Sequence, residues 1–240
     1  MAKRGKSRQG GKRRLRFRPF RWLWRWGGRL LLAVVAVAIL VIAAHRQFPP
    51  PDTLYMRQEA RRLDGITHEW VPLDAVAPVM ARAVVAAEDA NFCRHWGFDM
   101  AAIRNAIEDG AVRGASTLSQ QVVKNVYLWH GRSWLRKALE ALITPVVEAL
   151  WPKRRIVEVY LNVAEFDTGV FGVAAAARQY FDVDASQLTA VQAARLAALL
   201  PDPKGRSAAN PSAWLRTRAA AIMDGAATIR RDGRAACFED

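Results

Sequence analysis

The chain has 240 residues, 52% of them hydrophobic and 24% charged, a composition that excludes a disordered protein and suits a well-cored globular one. Its formal net charge of +14 would point to nucleic acid if it were spread over the fold, but residues 1–29 hold 12 Lys/Arg and no Asp or Glu. The remaining 211 residues balance 24 Lys/Arg against 22 Asp/Glu, so the basicity belongs to a tail and no nucleic-acid partner is expected.

That tail, residues 1–29, leads into Leu30–Ala44, a run without a charge or a proline. Its fifteen residues reach about 22 Å as a helix, short of a hydrocarbon core of roughly 30 Å. Counting back through Gly28, Gly27, Trp26, Trp24 and Trp22 gives an anchor over residues 22–45. Arg25 and Arg29 can extend to the headgroups, where tryptophans also settle. The positive-inside rule places the N-terminus in the cytoplasm and the rest across the membrane. A cleaved signal peptide has the same plan, with Val41-Ile42-Ala43 as a weak cleavage site. A buried core helix would be odd beside so basic a tail.

Residues 46–75 form a juxtamembrane segment. It opens on Phe48-Pro49-Pro50-Pro51-Asp52, a stiff exit that cannot continue a helix, and over 53–72 the pattern fixes no element. A catalytic domain is expected over 76–230, with a tail at 231–240. Helix-like spacing begins at Pro78 and runs through Glu88. After a loop at Gly97, Asp99 caps a short helix to about Glu108. Gly110 to Gly114 is a break. Thr117-Leu118-Ser119-Gln120 has the form of a capping box, and the helix it opens puts Leu118, Val122 and Val126 on one face. Gln121, Lys124 and Asn125 share another. The next helix starts near Ser133, with Trp134, Leu135, Leu139, Leu142 and Val146 as its apolar side and a kink at Pro145. Trp96, Trp129 and Trp134 can contact lipid or sugar, but core packing is the reading preferred for them. Further helices are predicted at 153–161, 172–180, 189–200 and 212–230. No strand alternates convincingly, so the fold class is mainly α. Cys93 and Cys237, 144 positions apart, cannot make a disulfide framework; an oxidising compartment would permit one bridge, but nothing in the sequence places them together, and no functional role is expected of either.

The chemistry gathers in three stretches. Glu88-Asp89 is followed by Phe92, His95, Gly97 and Asp99; adjacent carboxylates point different ways on a helix, so at most one faces a given cavity. Residues 114–125 join a flexible loop to a helix start carrying hydroxyls, amides and a cation, where backbone N–H groups favour anions. Arg132, Arg136, Lys137 and Glu140 follow, the middle two close enough on a helix to touch Glu140. Each piece has a bland explanation as a solvated or ion-paired surface. Together they place an acid, a hydroxyl and amide loop and several cations within 53 residues.

Glu88-Asp-x-x-Phe92-x-x-His95-x-Gly97-x-Asp99 resembles the first motif of family 51 glycosyltransferases, which include the monofunctional biosynthetic peptidoglycan transglycosylases. Gly114-x-Ser116-Thr117-x-x-Gln120-Gln121-x-x-Lys124-Asn125 is similar to the second motif, and Arg132-Ser133 with Arg136-Lys137-x-x-Glu140 to the third. Lys153-x-x-Ile156-x-Glu158-x-Tyr160-Leu161-Asn162 is similar to the fourth. The resemblance covers roughly residues 50–225. It implies a lysozyme-like domain behind a single transmembrane helix, seated in the cell inner membrane with its catalytic part in the periplasm. The implied reaction polymerises lipid II into β-1,4-linked glycan strands with release of undecaprenyl pyrophosphate. Its implied partners are lipid II, the growing strand and other cell wall synthesis or division proteins. Position by position, the resemblance makes Glu88 the base for the acceptor 4-hydroxyl. Lys124 and Arg132 hold donor phosphates, while Ser116, Gln121, Arg136 and Lys137 line the cleft. Glu140 acts near the pyrophosphate, through a divalent cation (Mg or Mn) or neighbouring cations, and no organic cofactor is implied. Ala115 stands where many members have glycine. Nothing resembling a transpeptidase domain follows residue 230, so the resemblance is to monofunctional members.

These roles suit the chemistry. Negative charge grows on a departing pyrophosphate, and preorganised cations lower the barrier there; Arg grips phosphate oxygens in pairs. General-base assistance is typically worth about 10²–10⁴-fold, and partial burial of a glutamate strengthens it as a base. A glycan-cleaving enzyme is the first rival, but hydrolysis typically uses two carboxylates across the sugar bond and has little need of phosphate-binding cations. The second rival is a membrane adaptor whose basic tail binds acidic lipid.

Overall fold

The computed structural model describes residues 19–108 and 116–239, with side chains from Arg25 onward. Most of the basic tail, Trp22 and Trp24 as side chains, and the predicted break with Gly110, Gly114 and Ala115 therefore lie outside the described residues. The chain divides into two units, one ending at Val41 and the other spanning Ile42–Asp240.

The first unit is one helix, α1 (Pro19–Ala44), whose last turn belongs to the second unit. Its stretch Arg25–Ala44 is long and apolar enough to cross a membrane. Leu30, Leu31, Leu32 and Leu40 are all exposed, which suits a lipid-facing helix and not a core helix. The Arg29 guanidinium lies 5.2 Å from the centroid of the Trp26 ring, an interfacial pairing at the predicted end of the span.

The second unit is mainly helical. Ile42 is buried and its carbonyl accepts from Trp151 Nε1 at 2.7 Å, while Arg155 donates to the carbonyls of His45 and Phe48. The juxtamembrane segment is more ordered than expected. Thr53 caps a helix α2 (Leu54–Arg62), in which Met56 and Glu59 are buried. The pattern over 53–72 hides it because most of its residues are charged or polar.

The core begins with α3 (Pro78–Glu88), where Met80, Val84 and Val85 are fully buried at helical spacing. This helix packs against α9 (Ala190–Leu199) and α10 (Ala213–Arg231), both within about two residues of their predicted bounds. Between them in sequence come α4 (Met100–Glu108), α5 (Leu118–Tyr127), α6 (Trp134–Leu150), α7 (Lys153–Val163) and α8 (Val173–Phe181). Helix α5 packs on α6 and α7, burying Leu118, Val122, Ile156 and Tyr160. Each large apolar side chain taken from water this way contributes roughly 1.5–3 kcal/mol.

Two expectations fail. A three-stranded sheet exists, formed by β1 (Thr67–His68), β2 (Glu165–Asp167) and β3 (Val170–Phe171) in the order β1-β3-β2. The β1–β3 pair is parallel and the β2–β3 pair antiparallel. Strands of two or three residues are too short to show an alternating pattern. Second, α6 buries only part of its predicted apolar side: Leu139 and Val146 pack against the core, but Trp134 is 94% exposed, with Leu135 and Leu142 also bare. Trp96 and Trp129 are exposed as well. Pro145 sits inside α6, which continues to Leu150. The one bridge that an oxidising compartment would permit does form. Cys93 and Cys237, with Cα atoms 5.6 Å apart, form a disulfide across 144 positions. The expected tail is a short helix α11 (Ala236–Glu239) whose Phe238 is buried against Phe92, with Glu239 paired to Arg82 at 2.8 Å. Tertiary packing of Phe238 aligns the two thiols, and no local pattern in the sequence reports that.

Candidate active site

Helix α3 delivers Glu88 as its last residue, and the neighbouring Asp89 leaves the helical conformation. The two carboxylates separate as expected. Asp89 turns inward, accepting from Leu118 N at 3.0 Å through Oδ2 and from His95 Nε2 at 2.8 Å through Oδ1. This ties the start of α5 to the loop after α3. Thr117 adds a second tie by donating its hydroxyl to the Gly97 carbonyl at 2.7 Å, and its capping box with Gln120 forms as predicted. Gly97 has φ +85° and a Cβ there would lie 2.6 Å from Thr144 Cγ2, so this close approach requires glycine. Asp99 caps α4 through Ala102 N at 2.9 Å and holds Asn91 at 3.0 Å. The fourth motif serves the same scaffold. Lys153 bridges the His95 carbonyl and Glu148, and Asn162 fastens Val71 through both its amide groups.

Glu88 faces a cavity of about 690 Å³, lined also by Ser116, Gln121, Arg206, Trp214 and Arg218. Its Oε2 accepts from Gln121 Nε2 at 2.8 Å, and Gln121 Oε1 accepts from the Tyr160 hydroxyl at 3.3 Å. Burial pushes the Glu88 carboxyl up from its ordinary value, and Asp89 adds to the rise. Gln121, Arg218 and Lys124 oppose it. Burial also drives the Tyr160 phenol well upward, so it stays protonated and can only donate to Gln121 in this chain.

Gln121 also lines a second cavity of about 210 Å³, shared with Tyr55, Lys124, Asn125, His130 and Glu165. The face predicted for Gln121, Lys124 and Asn125 thus lines this hollow, and Gln121 borders both. Burial lowers the Lys124 ammonium, whose field includes Glu88 and Glu140 as well as Arg136 and Lys137. Beyond it, Glu140 is buried and both its oxygens are taken, one by Arg136 at 2.8 Å and the other by Lys137. Lys137 also donates to Ser116 Oγ at 3.3 Å. Ser116, Gln121, Lys124, Arg136, Lys137, Glu140 and Glu88 are therefore one connected group. Arg132 stands apart: it is exposed and makes no hydrogen bond or ion pair among the described residues.

The donor set does not suit a protein-held divalent cation. Glu140 already neutralises two cations, and among the described residues no three His, Cys, Asp or Glu side chains gather as ligands. No step below passes through a metal.

The sequence reading missed Arg206, Trp214 and Arg218, which line the Glu88 cavity. Trp214 and Arg218 lie four apart on α10, one turn of a single face, a spacing that could have flagged them. It also passed over Tyr55 and His130, whose rings stack with centroids 3.8 Å apart.

With this arrangement in view, comparison with known proteins is decisive. The family model described as "Transglycosylase" matches residues 56–227. The chain belongs to the transglycosylase family. It is 61% identical over 214 residues to a "Biosynthetic peptidoglycan transglycosylase" of Jannaschia sp. (strain CCS1), covering 89% of this chain and 90% of that one. A protein of the same name from Rhodospirillum centenum (strain ATCC 51521 / SW) is 47% identical, covering 88% and 95%. One from Caulobacter vibrioides (strain ATCC 19089 / CIP 103742 / CB 15) is 43% identical, covering 87% and 93%. As a transglycosylase, the chain has its matched region begin in α2 and end in α10, so the match includes the whole lining of the Glu88 cavity and every residue of the connected group.

Proposed function

We propose that this transglycosylase is a peptidoglycan glycosyltransferase that polymerises lipid II into β-1,4-linked strands, releasing undecaprenyl pyrophosphate. The observation that carries the reading is Gln121, one side chain that holds the Glu88 carboxylate and walls the Lys124 cavity. An acid and a cation cluster separated by one residue suit a transfer in which a proton leaves one end and a phosphate the other.

In this reading Glu88 takes the proton from the acceptor's 4-hydroxyl as that oxygen bonds to the donor's anomeric carbon. The bond from that carbon to the pyrophosphate oxygen breaks, and its electron pair departs on the pyrophosphate. Lys124, Arg136 and Lys137 stabilise the charge that develops there. Glu140 keeps Arg136 and Lys137 in place, while Arg132, free of internal partners, reaches the donor's phosphates. Displacement at an α-linked donor inverts the centre and gives the β linkage. Partial burial makes Glu88 a better base, since a carboxylate kept from water binds a proton more readily. The engagement of Asp89 by His95 and Leu118 speaks against a second free carboxylate of the kind glycan hydrolysis uses.

The reading extends to placement. The N-terminal helix anchors the chain in the inner membrane by a single pass, with the basic tail cytoplasmic and the catalytic unit periplasmic. The Cys93–Cys237 bridge supports this, because disulfides persist in oxidising compartments.

Incubation of the purified chain with lipid II, beside Glu88→Gln, tests the function. Wild type should make long glycan and free lipid pyrophosphate, and the variant should make neither. Near-normal polymerisation by the variant removes Glu88 as the base.

A further inference from the structure

The cavity that receives Glu88 has a basic wall on the side away from Lys124. Arg218 sits two turns into α10, half-buried, on a helix packed directly against α3. Its Nη2 donates to the Ala87 carbonyl at 3.1 Å, the peptide that immediately precedes Glu88. It shares the cavity wall with the Glu88 side chain. A carbonyl at the C-terminal end of a helix lacks an intrahelical donor and carries the negative end of the helix dipole. A guanidinium on the Ala87 carbonyl supplies that donor and brings its positive charge into the cavity that Glu88 also lines.

We propose that Arg218 is the positioning residue for the reaction base, fixing the end of α3 through Ala87 and holding the Glu88 carboxylate turned into the cavity. The inference rests on the glycosyl-transfer reading above, deepens it at the base, and gives Arg218 a task distinct from phosphate binding. Its field on Glu88 opposes the effect of burial in the same sense as Lys124 and the Gln121 amide, while Asp89 acts the other way. The groups facing Glu88 are thus Gln121 and Lys124 from α5, Arg218 from α10, Asp89 next in sequence, and the Tyr160 hydroxyl from α7, which senses Glu88 in turn. Of these Arg218 is the one that grips the backbone of α3 itself. Arg206, which lines the same cavity, is stacked over Trp214 at 4.3 Å and donates to the Ala198 carbonyl, so it is committed elsewhere.

A base held ionised by a cation should lose that help selectively at low pH. The test is the pH dependence of lipid II polymerisation by full-length protein in detergent, for wild type, Arg218→Gln and Arg218→Lys. In Arg218→Gln the acid limb of kcat should move to higher pH, with about a tenfold loss at acid pH and little at the alkaline plateau. KM should change less than kcat. Arg218→Lys, which keeps the charge, should restore the position of the limb in part. A direct readout needs no activity: ¹³C-carboxyl NMR of glutamate-labelled protein, with the Glu88 signal assigned by its absence in Glu88→Gln. The midpoint of that signal should rise in Arg218→Gln. An acid limb or NMR midpoint unmoved in a folded Arg218→Gln protein overturns the proposal, as does a loss uniform across pH. Failure of wild type itself to polymerise lipid II would instead overturn the glycosyl-transfer reading, and the NMR midpoint would still decide the electrostatic relation.

Discussion

The amide of Gln121 donates to the Glu88 carboxylate at 2.8 Å while its carbonyl end takes the hydroxyl of Tyr160. The orientation of Gln121 is thereby fixed by a phenol that burial keeps protonated. Replacing Gln121 by Ala should remove the donor that lowers the Glu88 carboxyl and leave Tyr160 without its acceptor. Polymerisation should fall by about 10-fold or more, with the acid limb of the rate profile moved to higher pH. A steady-state pH series on lipid II measures both.

Glu88 itself should be held at a cost to stability. Its folded-state carboxyl is raised, so the folded protein binds the proton more tightly than the unfolded chain does. Ionisation therefore weakens the fold as pH rises past the ordinary glutamate range. Glu88→Gln should lower turnover by about 10²–10⁴-fold yet raise Tm at neutral pH, with the gain shrinking in acid. Thermal unfolding at two pH values checks it.

Asp89 should behave oppositely. Its two oxygens hold His95 and the first peptide of α5. Asp89→Ala should cost roughly 1.5–3 kcal/mol for the loss of hydrogen bonds to a charged group, more if His95 is left buried without a partner. Urea denaturation of this variant beside Glu88→Gln separates the scaffold carboxylate from the reacting one.

Acid should loosen the fold through two groups, His130 in the wall of the smaller cavity and Glu59 on α2. Contact with Arg62 holds the Glu59 carboxyl at about 2, aided by Lys204 and opposed by burial. Burial lowers His130 to about 4, with Lys124 and Arg136 adding to the fall. The stability that Glu59 contributes is present above its unfolded value of 4.5 and is lost as pH falls toward 2. His130 favours the fold while neutral, and its protonation penalty grows as pH drops below 6.5 toward 4. Glu59→Gln should flatten the lower part of the acid-unfolding curve, and His130→Gln the upper part.

Trp134 tests the corrected face of α6. At 94% exposure it has almost no packing to lose, and Trp134→Ala should shift unfolding free energy by no more than about 0.5 kcal/mol. A buried tryptophan in the same helix would cost roughly 3–5 kcal/mol.

The helices were legible where apolar spacing and caps agreed, as at Pro78–Glu88 and at Thr117 with Gln120. The shared face of 121, 124 and 125 on α5 followed from helical periodicity, while its meeting with Glu88 was implied by the family resemblance. Arg218 was not, because it arrives from 130 positions away on a helix packed against α3, and periodicity cannot say which helices meet. For α6 the apolar stripe was real and its burial only partial, since a pattern names an amphipathic face but not what covers it. The short strands and the docking of α11 depend wholly on distant contacts.

The covalent ring closed by Cys93 and Cys237 has a consequence for how the protein is made. Cys93 follows the reacting segment by a few residues, whereas its partner is reached 144 positions later. During folding the earlier thiol must remain unpaired until nearly the whole second unit has been made. Because the sequence holds only two cysteines, no wrong intramolecular bridge can form within it, and oxidation needs no isomerase to sort it. Closure of the ring then marks a chain that has docked its C-terminal helix.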